Sequence, residues 1–96
     1  MYELTEIILP EILKEIQSGA FYNCFKLKQI VLPKNIEHIP EECFYNCINL
    51  EKVICEGNIK SIGKYAFYNC RNLKEINGIN FDDVMCHKMS FKGCLK

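Results

Sequence analysis

Seven cysteines and two histidines are the residues with the strongest claim to chemistry in this chain of 96. Cys86-His87 with Cys94 gathers two thiols and an imidazole into one short stretch. A structural zinc site uses paired ligands spaced as C-x-x-C, and that pairing is missing here. A thiol and an imidazole could also act as nucleophile and base. His38, the other imidazole, sits among regularly recurring positions, and no third residue that would orient a base can be named. There is no Gly-rich phosphate loop, no H-E-x-x-H and no G-x-S-x-G. The sequence therefore assigns no catalytic, cofactor-binding or metal-binding residue. It expects no cofactor and reads the chain as not an enzyme.

The placement of the cysteines points elsewhere. Ala20-Phe21-Tyr22-Asn23-Cys24 returns as Cys43-Phe44-Tyr45-Asn46-Cys47 and as Ala66-Phe67-Tyr68-Asn69-Cys70. It returns once more, altered, as Ser90-Phe91-Lys92-Gly93-Cys94. Cys24, Cys47, Cys70 and Cys94 thus occupy one position of a repeat about 23 residues long. A free cysteine behaves as a small buried apolar residue, and Cys43 stands in a slot otherwise held by Ala. Neighbouring coils would bring the cysteine Cα atoms about 5 Å apart, inside the disulfide window. Parallel side chains in register rarely meet the required torsion, so free thiols are expected.

A fixed period of this length means a solenoid, because one coil cannot bury its own apolar face. Counting back from the cysteines, Leu4, Leu27, Leu50 and Leu73 open the coils. Ile7, Ile30, Val53 and Ile76 follow, then Leu9, Leu32, Cys55 and Gly78. The last two apolar positions flank one outward residue, the period of a strand. Pro10 and Pro33 stop the first two strands, and Glu56-Gly57-Asn58 stops the third by turn chemistry. A second apolar pair comes next: Leu13 and Ile16, Ile36 and Ile39, Ile59 and Ile62. The repeats run over about 1–23, 24–46, 47–69 and 70–96, in a single domain covering 1–96. The fourth is one residue longer and carries Asn77, Asn80, Asp82 and Asp83. It reads as a degenerate, cap-like coil or as a divergent repeat. The first coil has only three residues ahead of Leu4, with Met1 at the cysteine position, so its apolar face is expected to be open, either to a preceding coil or to another chain.

These residues resemble the BspA-like leucine-rich repeats. L-x-x-I-x-L-P, then I-x-x-I, then A-F-x-N-C-x-x-L agrees with that family over Leu4–Cys70 and more weakly over Leu73–Cys94. The resemblance implies a leucine-rich-repeat, right-handed superhelix of about four 23-residue coils. A parallel β-sheet would form one face, with turns, short strands or 3-10 segments on the other. It also implies protein–protein contact, often adhesion or host interaction at a cell surface, and it supplies no catalytic residue.

Composition narrows the partners. Formal net charge is zero, which removes any general attraction to nucleic acid or anionic lipid. No apolar run approaches the roughly 18 residues of a membrane-spanning helix. Met1-Tyr2-Glu3-Leu4-Thr5-Glu6 lacks the basic and apolar regions of a signal peptide. As written the chain is cytoplasmic; as part of a secreted parent it would sit at a cell surface, and the sequence leaves the compartment open.

The expected partner is a protein, met by the outward strand residues. One row is Thr5, Lys28, Glu51 and Lys74; the next is Glu6, Gln29, Lys52 and Glu75. Rows in such a sheet advance about 4.8 Å per coil, and signs alternate along the first. A third row, Ile8, Val31, Ile54 and Asn77, sets an apolar stripe on a charged face, either a contact site or residues chosen for strand propensity. The partner-binding set is therefore Ile8, Lys28, Gln29, Val31, Glu51, Lys52, Ile54, Lys74 and Glu75. Four strands span only a few hundred Å², below the roughly 800 Å² per partner of a standard interface, so the strip alone should bind weakly. Tyr22, Tyr45 and Tyr68 make a further row, read as packing against the turn rather than as a recognition stripe. Asn23, Asn46 and Asn69 are read as turn residues. The alternative function is a structural unit that self-assembles end to end through the open first coil, giving a homo-oligomer.

Overall fold

The structure is a computed structural model that describes residues 6–94. Met1, Leu4 and Thr5, which the repeat alignment uses, lie outside them. Among the described residues seven short strands follow one another: β1 (Glu6–Ile8), β2 (Gln29–Leu32), β3 (His38–Ile39), β4 (Lys52–Cys55), β5 (Ser61–Ile62), β6 (Glu75–Asn77) and β7 (Met85–Cys86). A single 3-10 turn over Phe81–Asp83 precedes β7. The strands form two parallel sheets, β1-β2-β4-β6 and β3-β5-β7. This is a solenoid of four coils, each giving one strand to the larger sheet.

Register follows the repeat. Ile7 pairs with Ile30, Ile30 with Val53 and Val53 with Ile76. On the second sheet Ile39 pairs with Ile62, which pairs with Cys86. A slip of one residue would turn every aliphatic side chain to the wrong face, so inward burial fixes the pairing. Ile30 and Leu32 of β2, and Val53 and Cys55 of β4, are buried, while the residues between them face outward and are only half-buried.

The Phe corner forms a third ladder without strand conformation. Backbone N–H groups of Phe21, Phe44 and Phe67 donate to the carbonyls of Cys43, Ala66 and Ser90 at 2.9, 2.7 and 2.8 Å. Above these bonds the rings of Phe21, Phe44, Phe67 and Phe91 stack with centroids 5.4, 5.2 and 5.1 Å apart. Two residues in left-handed conformation bracket each of the first three corners, and one follows the fourth. Gly19, Glu42 and Tyr65 precede it, and Asn23, Asn46, Asn69 and Gly93 follow it. Asn and Gly tolerate this region well, which gives the Asn of the repeat a backbone reason. Two of the Asn side chains also link coils, Asn69 Nδ2 donating to Asn46 Oδ1 at 2.7 Å.

Burial is complete only in the middle of the pile. Leu27, Ile36, Ile39, Leu50, Ile59 and Ile62 are buried, whereas Ile7, Leu9, Leu13, Ile16, Leu73 and Ile76 are partly buried. Ala20 is exposed although Cys43 and Ala66 in the same column are buried, because Ala20 belongs to the outer coil. Ser90 fills that slot in the fourth coil, and its buried hydroxyl donates to the carbonyls of Gly63 (2.8 Å) and Ile62 (3.2 Å). The aliphatic residue expected after β6 is Gly78, with φ of +90°, and a Cβ there would collide with the Cys55 carbonyl oxygen. The chain then takes its extra residue through the 3-10 turn, where Asn80 accepts from the Asp82 N–H, and still reaches β7 in register with β5.

Candidate protein-contact surface

The outward face of the β1-β2-β4-β6 sheet carries all nine residues of the expected contact set. Glu6, Gln29, Lys52 and Glu75 are successive register partners, as are Ile8, Val31, Ile54 and Asn77. Lys28, Glu51 and Lys74 sit just before the strands and extend the ladder. Glu51 N–H donates to the Lys28 carbonyl at 2.8 Å, and Lys74 N–H to the Glu51 carbonyl at 2.9 Å. Lys28, Gln29, Glu51, Lys52, Lys74 and Glu75 together line a groove of about 390 Å³.

The charges on this face are mostly uncommitted. Lys52 Nζ lies 3.7 Å from Glu75 Oε1 in the second row. Lys28, Glu51 and Lys74, whose signs alternate, form no ion pair among the described residues. Sign alternation along the first row thus gives no ion pair among the described residues, and the contact on this face lies in the second. Beside the charges runs the aliphatic stripe, with Ile8 88% exposed and Val31 and Ile54 half-buried. The arrangement can meet a partner through unpaired charges of both signs and an adjoining apolar strip.

The cysteines do structural work. All seven are free thiols. The Sγ of Cys47, Cys70 and Cys94 donates to the carbonyl of Phe21, Phe44 and Phe67 at 3.0, 3.1 and 3.2 Å. Burial pushes the Cys47 thiol up to about 12 and that of Cys55 to about 11. It carries Cys43 and Cys70 well above the usual thiol range. These groups stay protonated, the opposite of what a nucleophile or metal ligand needs. Among the described residues no three His, Cys, Asp or Glu side chains converge as metal ligands would.

Two contacts escaped the sequence reading. Tyr22, Tyr45 and Tyr68 stack with centroids 4.6 Å apart, as a packing column would, but Tyr65 joins them edge-on, 5.3 Å from Tyr68 and 6.1 Å from Tyr45. Lys64 Nζ lies 5.3 Å from the centre of the Tyr65 ring. Tyr65 has no counterpart in the other coils, so the period gave no warning of it. On the second sheet His38 Nδ1 lies 2.7 Å from Ser61 Oγ. These two are register partners, and their exposed pairing reads as a cross-strand contact.

A stack of 23-residue coils with one continuous parallel sheet is, in class, a leucine-rich-repeat protein. The family model described as "BspA type Leucine rich repeat region (6 copies)" matches residues 1–96, and the chain belongs to that family. No curated protein and no solved structure matches it. The family is one of interaction repeats and is typically non-enzymatic.

Proposed function

We propose that this chain is a non-enzymatic protein-interaction module that meets its partner on the outward face of the β1-β2-β4-β6 sheet. The observation that supports this is a continuous surface built from four coils. On it, Lys28, Glu51 and Lys74 lack ion-pair partners among the described residues and stand beside an aliphatic stripe of exposed Ile8 and half-buried Val31 and Ile54. None of the nine side chains belongs to the buried apolar cluster, so the composition of this face is available for recognition. The test is selection of binders from a displayed library of protein fragments, followed by mapping of amide chemical shifts. Binders that perturb Lys28, Glu51, Lys52 and Ile54, and that are lost with Ile54→Glu while the melting temperature holds, support the reading. Binders that map to the tyrosine column or to β3-β5-β7 and ignore Ile54→Glu would overturn it.

End-to-end stacking of copies is the second reading. It is favoured by Ile7, Leu9, Leu13 and Ile16 being partly buried where Ile30, Leu32, Ile36 and Ile39 are fully buried. Light scattering at tens of micromolar protein tests it. Oligomers abolished by Ile7→Glu support stacking; a monomer at every concentration rules it out.

A further inference from the structure

The sheet face is electrostatically divided along its strands. At the strands' beginnings, three lysines and two glutamates share the groove described above. Toward their ends a second groove of about 230 Å³ opens across the first three coils, reaching back along the short β1 to its first residue, Glu6, and its chemistry differs. Ile7, Ile8, Leu9, Val31 and Pro33 form its apolar lining, and Glu6, Glu11 and Glu56 stand around them. These three carboxylates come from three different columns of the repeat, two from the first coil and one from the third. None forms an ion pair among the described residues, and no cation lines the groove among them. Lys34, the neighbour of Glu11 in its column, neither lines the groove nor pairs with it.

We infer that this groove docks a protein segment of one chemistry: an aliphatic or aromatic anchor flanked by lysine or arginine. The inference rests on the reading of the sheet as a contact surface and names the partner's composition at one end of it. The physical argument is complementarity. Three like charges around one small groove repel one another, and a cationic segment relieves that repulsion while its anchor covers Ile8 and Val31. Ile8 is 88% exposed, so the anchor removes an aliphatic side chain from water that folding leaves there. An anionic segment meets only repulsion at this end and is excluded. The zero net charge of the chain means that selectivity is local to the groove and no general attraction for polycations operates.

The test is a titration of the isotope-labelled chain with three synthetic peptides: one alternating lysine and leucine, one alternating lysine and serine, one alternating glutamate and leucine. The lysine–leucine peptide should shift the amides of Glu6, Ile8, Val31 and Glu56. Each control should bind roughly tenfold more weakly or worse, since it lacks the anchor or the charge. Glu11→Lys with Glu56→Lys, both exposed positions, should weaken the lysine–leucine peptide by about the same factor. Equal binding of the glutamate–leucine peptide, indifference to the double substitution, or no binding at all overturns the inference. Shifts confined to Lys28, Lys52 and Ile54 overturn it too, yet leave the sheet standing as a contact surface. Library binders that avoid the whole sheet remove the broader reading instead.

Discussion

At the residue scale, the same burial that makes the thiols inert ties stability to alkaline pH. Cys47 is raised from an ordinary 9.0 to about 12 and Cys55 from 9.0 to about 11, both by burial. In the unfolded chain these thiols ionise near pH 9, while in the folded chain they hold their protons. Their contribution is complete below pH 9 and is lost as pH climbs toward the folded values, by up to about 1.4 kcal/mol per pH unit for each thiol. The urea midpoint should therefore fall between pH 9 and 11, and Cys47→Ala, though less stable at pH 7, should show a shallower slope. Parallel slopes in the two proteins would count against a buried protonated Cys47. Asn46 gives a second expectation. Its φ of +65° suits Asn and Gly, and its Oδ1 accepts from Asn69. Asn46→Ala should cost about 2 kcal/mol, from left-handed strain and the lost acceptor, and Asn46→Gly distinctly less. Equal losses in urea titrations would mean that the side-chain bond alone matters.

At the element scale, what could be read from sequence was whatever recurs in residue type. The Ile7–Ile30–Val53–Ile76 column, the Phe stack and the outward rows recur, and each stands in the register the spacing implied. What does not recur stayed hidden. Gly19, Glu42 and Tyr65 share a left-handed backbone and no chemistry, so alignment of types could not reveal that column. The acidic groove was invisible for a related reason: Glu6, Glu11 and Glu56 belong to different columns and meet only when the coils stack. Sign alternation in the sequence does not fix which charges pair: Lys28, Glu51 and Lys74 form no ion pair among the described residues, and the contact on this face lies at Lys52–Glu75. The long side chains of the first row reach solvent, where pairing gains little over hydration. Repulsion at this spacing is still measurable. Glu51→Lys would set three lysines side by side in one row and should lower stability by about 0.5–1 kcal/mol at low salt. Near 1 M salt, where the screening length is about 3 Å, most of that loss should disappear. A melting temperature unchanged at low salt would show that the row has no electrostatic coupling.

At the scale of the whole molecule, the coils touch only their neighbours, so stability is a sum of coil terms and interface terms. The inner coils have two interfaces and the outer coils one within this chain. Side-chain burial reports the difference: Ile30, Phe44, Leu50 and Val53 are inaccessible to solvent, while Ile7, Leu9, Ile76 and Val84 are partly exposed. Opening an outer coil breaks one interface and leaves the Phe44–Phe67 stack, with centroids 5.2 Å apart, untouched. Opening an inner coil breaks two. Native-state hydrogen exchange should then show a gradient. The amides of Phe44 and Asn46, which donate to Ala66 and Tyr68 at 2.7 and 2.8 Å, should exchange slowest and only by global unfolding. Those of β1 and β7 should exchange at lower free energy, by local opening. Phe44→Ala, which removes the ring between two stacked neighbours, should cost about 3–5 kcal/mol and pull the inner amides down toward the outer ones. A single exchange free energy shared by every strand would mean that the pile melts as one cooperative unit, and the nearest-neighbour account would fail with it. The acidic groove bears on the same gradient, because Glu6, Ile8 and Glu11 lie on the first coil and Glu56 on the third. A segment seated there bridges coils that otherwise open separately, so binding should slow exchange in β1 more than in β4.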